Sequence, residues 1–143
     1  MRKLIILLVI IGLIIYSCEP EPQDPTTHFQ IKNNSSYNVE VTIYNARMPD
    51  NSLDDLTVFL SSNYAMTYSY VCSSNEYPLM DKADSAIIVF NDERQIIYRK
   101  NDDQLKNILD ISSWNEEISA VYYKYLYIYS ITNEDYENAE NIE

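Results

Sequence analysis

Phe29-Gln-Ile-Lys-Asn-Asn-Ser-Ser-Tyr-Asn-Val-Glu-Val-Thr-Ile-Tyr44 alternates apolar and polar residues on both sides of a polar break. In an extended chain successive side chains point to opposite faces, so a period of two marks a strand with one buried face. From Tyr37 the alternation is unbroken: Tyr37, Val39, Val41 and Ile43 fall on one face, Asn38, Glu40, Thr42 and Tyr44 on the other. Before the break, Thr26–Lys32 sets Phe29 and Ile31 against Gln30 and Lys32. Asn33-Asn34-Ser35-Ser36 has turn chemistry, so the two strands are expected to pair as a hairpin.

The same period recurs downstream. Arg47–Asp55, with Pro49 and several polar residues, is expected to be a loop. Leu56, Val58 and Leu60 alternate in a third strand, and Tyr64–Cys72 forms a fourth, with Met66, Tyr68, Tyr70 and Cys72 facing in. Ser73–Ala83 is expected to be a loop. Ser85–Phe90 is continuously apolar, as in a central strand, and turns through Asn91-Asp92-Glu93-Arg94 into Gln95–Arg99, a second hairpin. Leu105, Ile108 and Leu109 stand at helical spacing and predict a short helical turn or irregular segment within Asn101–Ser113. Ser119–Ile131 is the longest candidate strand, with Tyr123, Tyr125, Tyr127, Tyr129 and Ile131 on one face. Thr132 is a candidate N-cap for a short acidic C-terminal helix, whose Glu134 and Asp135 suit the positive end of the helix dipole. About seven short strands with little helix predict an all-β fold, an antiparallel β-sandwich of Ig-like or transthyretin-like kind; the alternative is a small β-barrel.

Composition narrows the chemistry. The sole glycine is Gly12, which excludes P-loop and dinucleotide fingerprints and with them the nucleotide cofactors those bind. Turns needing positive φ must therefore use Asn or Asp. The chain carries 10 basic and 22 acidic residues, a net charge of −12. Nucleic acid is disfavoured, because phosphate binding needs clustered Lys and Arg; a solvated surface or a cationic partner fits better.

Arg2-Lys3 precede an almost pure Leu/Ile/Val run from Leu4 to Ile15. As a helix, Leu4–Tyr16 spans about 20 Å, short against a hydrocarbon core of about 30 Å. This suits the apolar region of an export signal better than a permanent span. Ile15-Tyr16-Ser17-Cys18 resembles a bacterial lipobox, which implies diacylglyceryl transfer to Cys18 and cleavage before it; an ordinary secreted protein is the alternative. Glu19-Pro-Glu-Pro-Gln-Asp-Pro25 has no apolar residue and reads as an extended tether. The expected organisation is a signal over residues 1–17, a lipidated tether over 18–27 and a β-sandwich domain over 28–143. With Cys18 lipidated, Cys72 has no partner within the chain and is expected to be buried or a free thiol.

The acidic cluster after Cys18, the segment Ile131-Thr-Asn-Glu-Asp-Tyr-Glu-Asn-Ala139, Phe29-x-Ile-x-Asn33 and Ile88-Val-Phe-Asn-Asp92 are together similar to small Bacteroidetes outer-membrane or cell-surface lipoproteins of unassigned function. That resemblance implies a lipid-anchored, surface-exposed β-sandwich of unassigned function and carries over no catalytic residue. Asp84-Ser85-Ala86 is similar to the Bacteroidetes O-glycosylation pattern, making Ser85 a candidate for modification.

Catalytic constellations are sparse. His28 is the lone histidine, so a zinc pair is not available and a Ser-His-Asp set would need His28 itself. Asp54-Asp55, Asp102-Asp103 and Glu116-Glu117 are neighbours whose side chains diverge on a strand; a hydrolase would have to gather its carboxylates from separate loops. Asn101-Asp102-Asp103 offers oxygen ligands for calcium without the EF-hand spacing. The expectation is a non-enzymatic binding or structural module with no metal or cofactor, whose partner is a protein or glycan. The alternative is an inhibitor or immunity-type protein neutralising a basic one. Tyr123, Tyr125, Tyr127 and Tyr129 make a candidate binding face if they point outward, and core if they point inward.

Overall fold

The computed structural model describes residues 26–71, 77–119 and 124–142. The signal, the tether as far as Pro25, Cys18, Cys72 and Tyr123 lie outside them. Nine strands are β1 (Thr26–Asn33), β2 (Val39–Arg47), β3 (Leu53–Leu60), β4 (Ala65–Val71), β5 (Ser85–Phe90), β6 (Arg94–Arg99), β7 (Asn115–Ser119), β8 (Lys124–Ile131) and β9 (Glu140–Asn141). Two short helices, α1 (Pro78–Asp81) and α2 (Asn133–Asn138), and a 3-10 turn at Ile111–Ser113 complete the described elements. One sheet runs β4-β1-β8-β7 and the other β3-β2-β5-β6-β9. Their inward faces share one core, so the fold is an all-β sandwich rather than a closed barrel.

The expected hairpin of β1 and β2 does not form. β1 pairs antiparallel with β4 and parallel with β8, whereas β2 pairs with β3 and β5 in the other sheet. Asn33–Asn38 is therefore an arch between layers. Its anchor is the buried Asn33, whose carboxamide donates to the carbonyls of Tyr37 (2.8 Å) and Leu60 (2.9 Å) and accepts from Ser35 N–H (2.9 Å). Both strands still face the same core, which is why their alternation looks alike. The β1–β8 pair also makes the sandwich other than purely antiparallel. Thr26 already pairs with Val71 and Lys124, so ordered sheet begins two residues before the expected boundary at 28.

The hairpin of β5 and β6 forms as expected, in register from Ser85–Arg99 to Phe90–Arg94. The expected loop over Arg47–Asp55 forms but is shorter, residues 48–52, because β2 continues to Arg47 past a bulge between Ile43 and Ala46 and β3 begins at Leu53. Glu116 and Glu117 belong to β7, an unforeseen strand that pairs with β8. In β4 Tyr68 and Tyr70 face in as foreseen, but the strand is a sheet edge, so Tyr70 is buried while Met66 stays 38% exposed. Ile108 and Leu109 are buried, but Leu105 is 95% exposed, because 105–110 is a chain of turns and not a helical face.

Glycine's roles fall to Asn and Asp as expected: Asn45, Asn51, Asn63, Asn91, Asp92 and Asn101 all have positive φ. Lys106, at φ 62°, is the exception. Its side chain pairs with Asp135, whose Oδ2 also accepts from the Thr132 N–H at 2.7 Å. The Lys106 carbonyl takes a hydrogen bond from Tyr129 at 2.7 Å. These contacts hold α2 against the core, where Tyr136 stacks on Tyr37 at 3.7 Å and carries the Arg94 guanidinium 4.8 Å from its ring centroid.

Among the described residues, one buried side-chain polar atom is left without a hydrogen-bond partner, the Thr27 hydroxyl on the inward face of β1. Burying an unbonded hydroxyl costs about 1–3 kcal/mol. Thr27→Val keeps the branched shape the strand favours and removes that cost. It is expected to raise the urea unfolding free energy by about 1 kcal/mol; a decrease would show that the hydroxyl is bonded.

Candidate functional site

A concavity of about 720 Å³ opens where the end of β2, α1 and the β6–β7 connection meet. α1 forms one wall because Pro78 sits in the first turn, where its missing N–H costs nothing. Lys100 fixes the other end of α1: its Nζ donates to the carbonyls of Met80 (3.3 Å) and Asp81 (2.6 Å). Arg47 Nη2 meets Asp81 Oδ2 at 2.9 Å, a partly exposed pair worth under about 1 kcal/mol in stability. The Arg47 carbonyl accepts from the Tyr70 hydroxyl at 2.7 Å, tying the rim to the other sheet.

The facing wall is held by the buried Asn107. Its Nδ2 donates to the Arg99 carbonyl at 2.9 Å and its Oδ1 accepts from Leu109 N–H at 3.0 Å. Asp110 Oδ1 accepts from Ser112 N–H and starts the 3-10 turn. The cleft thus has an apolar floor, with Met80 and Leu109 buried, and a rim of both charges whose principal groups are already engaged. It can take an amphipathic ligand. Asp81 and Asp110 are committed to structural contacts, and no group of three or more His, Cys, Asp or Glu among the described residues is placed to hold a metal. Asn101, Asp102 and Asp103 stay exposed on their turn.

The tyrosine row points inward. Tyr127 and Tyr129 are buried, Tyr125 is half-buried, and Tyr123 lies outside the described residues. An exposed stacking face on Tyr127 and Tyr129 is therefore ruled out by the side of β8 that meets the core. Phe29 lies parallel to Tyr127 (5.5 Å between centroids, 19°) and edge-on to Tyr70 and Trp114. Burial, and then the neighbouring Tyr77 hydroxyl, hold the Tyr127 phenol well above the usual tyrosine value; burial, and then Tyr98, do the same to Tyr129.

Ser85 opens the interior strand β5, half-buried, and its Oγ donates to Asp84 Oδ1 at 2.9 Å. That bond, followed by one from Asn45, keeps the exposed Asp84 carboxyl below the usual range. His28 Nδ1 lies 2.7 Å from Ser69 Oγ across the β1–β4 ladder, on the outward face of the sheet. This pair was missed because the two residues are 41 apart, and only strand pairing brings them together. Arg47, Lys100 and Asn107 were missed for the same reason: none belongs to a local motif.

Among the described residues, no helix is long and apolar enough to cross a membrane. No protein-family model matches the chain, and no curated protein is similar to it in sequence.

Proposed function

We propose that the chain is a lipid-anchored, non-catalytic binding module at a bacterial outer membrane or cell surface, tethered through lipid on Cys18. The observation that carries this is the arrangement of Arg2-Lys3, the apolar run, Ser17-Cys18 and the acidic proline-rich segment, leading directly into a strand that pairs on both sides from Thr26. Two or more acyl chains give stable anchoring where one gives marginal binding. Cys18→Ala in the full chain is expected to move the protein from the detergent-extracted membrane fraction to the soluble fraction. Unchanged membrane retention would remove the anchor from the proposal.

A second reading gains from the tyrosine row. With Tyr127 and Tyr129 in the core, recognition through an exposed tyrosine stripe is lost and charge becomes the stronger signal. A chain of net −12 attracts basic partners and raises their association rate in low salt. This supports an inhibitor or immunity-type role, in which the module neutralises a basic protein at the surface.

A further inference from the structure

A second concavity, of about 630 Å³, lies at one end of the outward face of the five-stranded sheet. Its floor is one rung of the ladder. Glu40 on β2 stands directly opposite Phe59 on β3 and Val89 on β5. Side chains so paired have Cβ atoms about 4.5–5.5 Å apart. Phe59 is 72% exposed, an uncommon place for a phenylalanine ring, while Glu40 is half-buried beside it. The ion pairs among the described residues are Arg47–Asp81, Lys82–Asp81 and Lys106–Asp135, so Glu40 has no cation among those residues.

The rim is rigid. Asn91 and Asp92 take φ of 48° and 60° in the β5–β6 turn. Asn91 Oδ1 accepts from Asn38 N–H at 3.0 Å, and Asn91 N–H donates to the Asn38 carbonyl at 3.0 Å. Asp92 completes the wall, and no Lys or Arg lines the pocket. The Arg47–Lys100 cleft, by contrast, brings its own cations.

We propose that this pocket receives a lysine or arginine side chain from a basic polypeptide. The inference rests on the binding-module reading and names its partner. A guanidinium or ammonium over the Phe59 ring is attracted by the negative face of the π-system. From there its N–H groups reach Glu40 and Asp92. A half-buried carboxylate without a cation is the group that gains most from such a partner. A neutral sugar would gain from the ring but not from the two carboxylates. A second copy of the chain, itself at −12, would be repelled.

The test is titration of the full chain in detergent with a fluorescent hexa-arginine peptide, by anisotropy at low and high salt. Glu40→Gln and Phe59→Ala are each expected to weaken binding about tenfold, and Phe59→Trp to preserve it. Asp54→Asn, the same change of charge on the exposed far end of β3, is expected to weaken it by less than about twofold. Circular dichroism checks that each variant is folded. The proposal is overturned if the wild-type chain does not bind the peptide, if Asp54→Asn loses as much as Glu40→Gln, or if Phe59→Ala binds unchanged. Membrane retention through Cys18 is read separately, so failure here leaves the anchor proposal standing.

Discussion

Phe29→Ala is expected to lower the unfolding free energy by about 3–5 kcal/mol. Phe29 is fully buried at the centre of β1, the strand that links β4 to β8, and three aromatic rings meet it. Tyr127 lies parallel at 5.5 Å, Tyr70 and Trp114 edge-on at 5.6 and 5.8 Å. Trp114 cannot move in to fill the space, because its Nε1 is bonded to the Ile108 carbonyl at 2.9 Å. Tyr70 is held by the Arg47 carbonyl and Tyr127 by Glu116 Oε1 at 3.2 Å. With its neighbours tied by polar groups, the cavity stays open, and the cost belongs at the upper part of the range for such changes. Domains of this size have about 5–15 kcal/mol in total, so the melting temperature should fall on the order of 10–20 °C. Phe59→Ala is the control: the ring is exposed, and its loss is expected to change stability by less than about 0.5 kcal/mol. A cost for Phe29→Ala below about 1.5 kcal/mol would mean that the aromatic cluster collapses around the gap.

Strand identity was largely legible in the chain, but strand partnership, the β5–β6 hairpin apart, was not. β1 and β2 each show period-two alternation because each has one face on the core. That pattern is the same whether the polar break is a hairpin within a sheet or an arch between sheets. The difference lies in Asn33, whose side chain bridges Tyr37 and Leu60. A buried turn asparagine looks like any other in sequence. β7 was hidden because Asn115-Glu-Glu reads as polar loop; an edge strand beside β8 needs apolar side chains on one side only. The positive-φ positions were easier, since a chain with no glycine beyond Gly12 leaves Asn and Asp as the least strained choices. Lys106 escapes that rule, and its contact with Asp135 offsets the strain of its backbone.

The sites were less legible for a related reason. Tyrosine alternation in β8 marks one face of the strand, and only the packing of the two sheets on a shared core makes that face the inner one. The cleft beside α1 draws Arg47, Lys100 and Asn107 from three separate segments. The rung of Phe59, Glu40 and Val89 required the registers of two ladders. One signal was available: Phe59 falls on the outward phase of the Leu56–Leu60 alternation, where a phenylalanine has no core to join.

Raising the pH above about 10 is expected to unfold the domain in a steep, cooperative step. Tyr129 is fully buried, its hydroxyl bonded to the Lys106 carbonyl, with the Tyr98 hydroxyl 3.4 Å away. Burial first, then Tyr98 and Asp135, push its ionisation far above the usual value of 10.0. Burial also raises Tyr127, Tyr98 and Tyr68. In the unfolded chain these phenols lose their protons near pH 10, whereas in the fold they keep them. The folded state then binds more protons than the unfolded one, so stability falls as pH rises from there. Their contribution is intact below pH 10 and is withdrawn above it. Each such group removes about 1.4 kcal/mol per pH unit, so Tyr129 alone removes about 2.7 kcal/mol by pH 12. Tyr127, Tyr98 and Tyr68 act in the same direction. Phenolate absorbance should rise in two stages, the first with circular dichroism unchanged and the second together with its loss. Tyr129→Phe removes one titrating group but strands the Lys106 carbonyl. It should cost about 1–3 kcal/mol at neutral pH and make the alkaline fall shallower by about 1.4 kcal/mol per pH unit. A single phenolate transition near pH 10 with the fold intact would show that the tyrosine core is open to solvent.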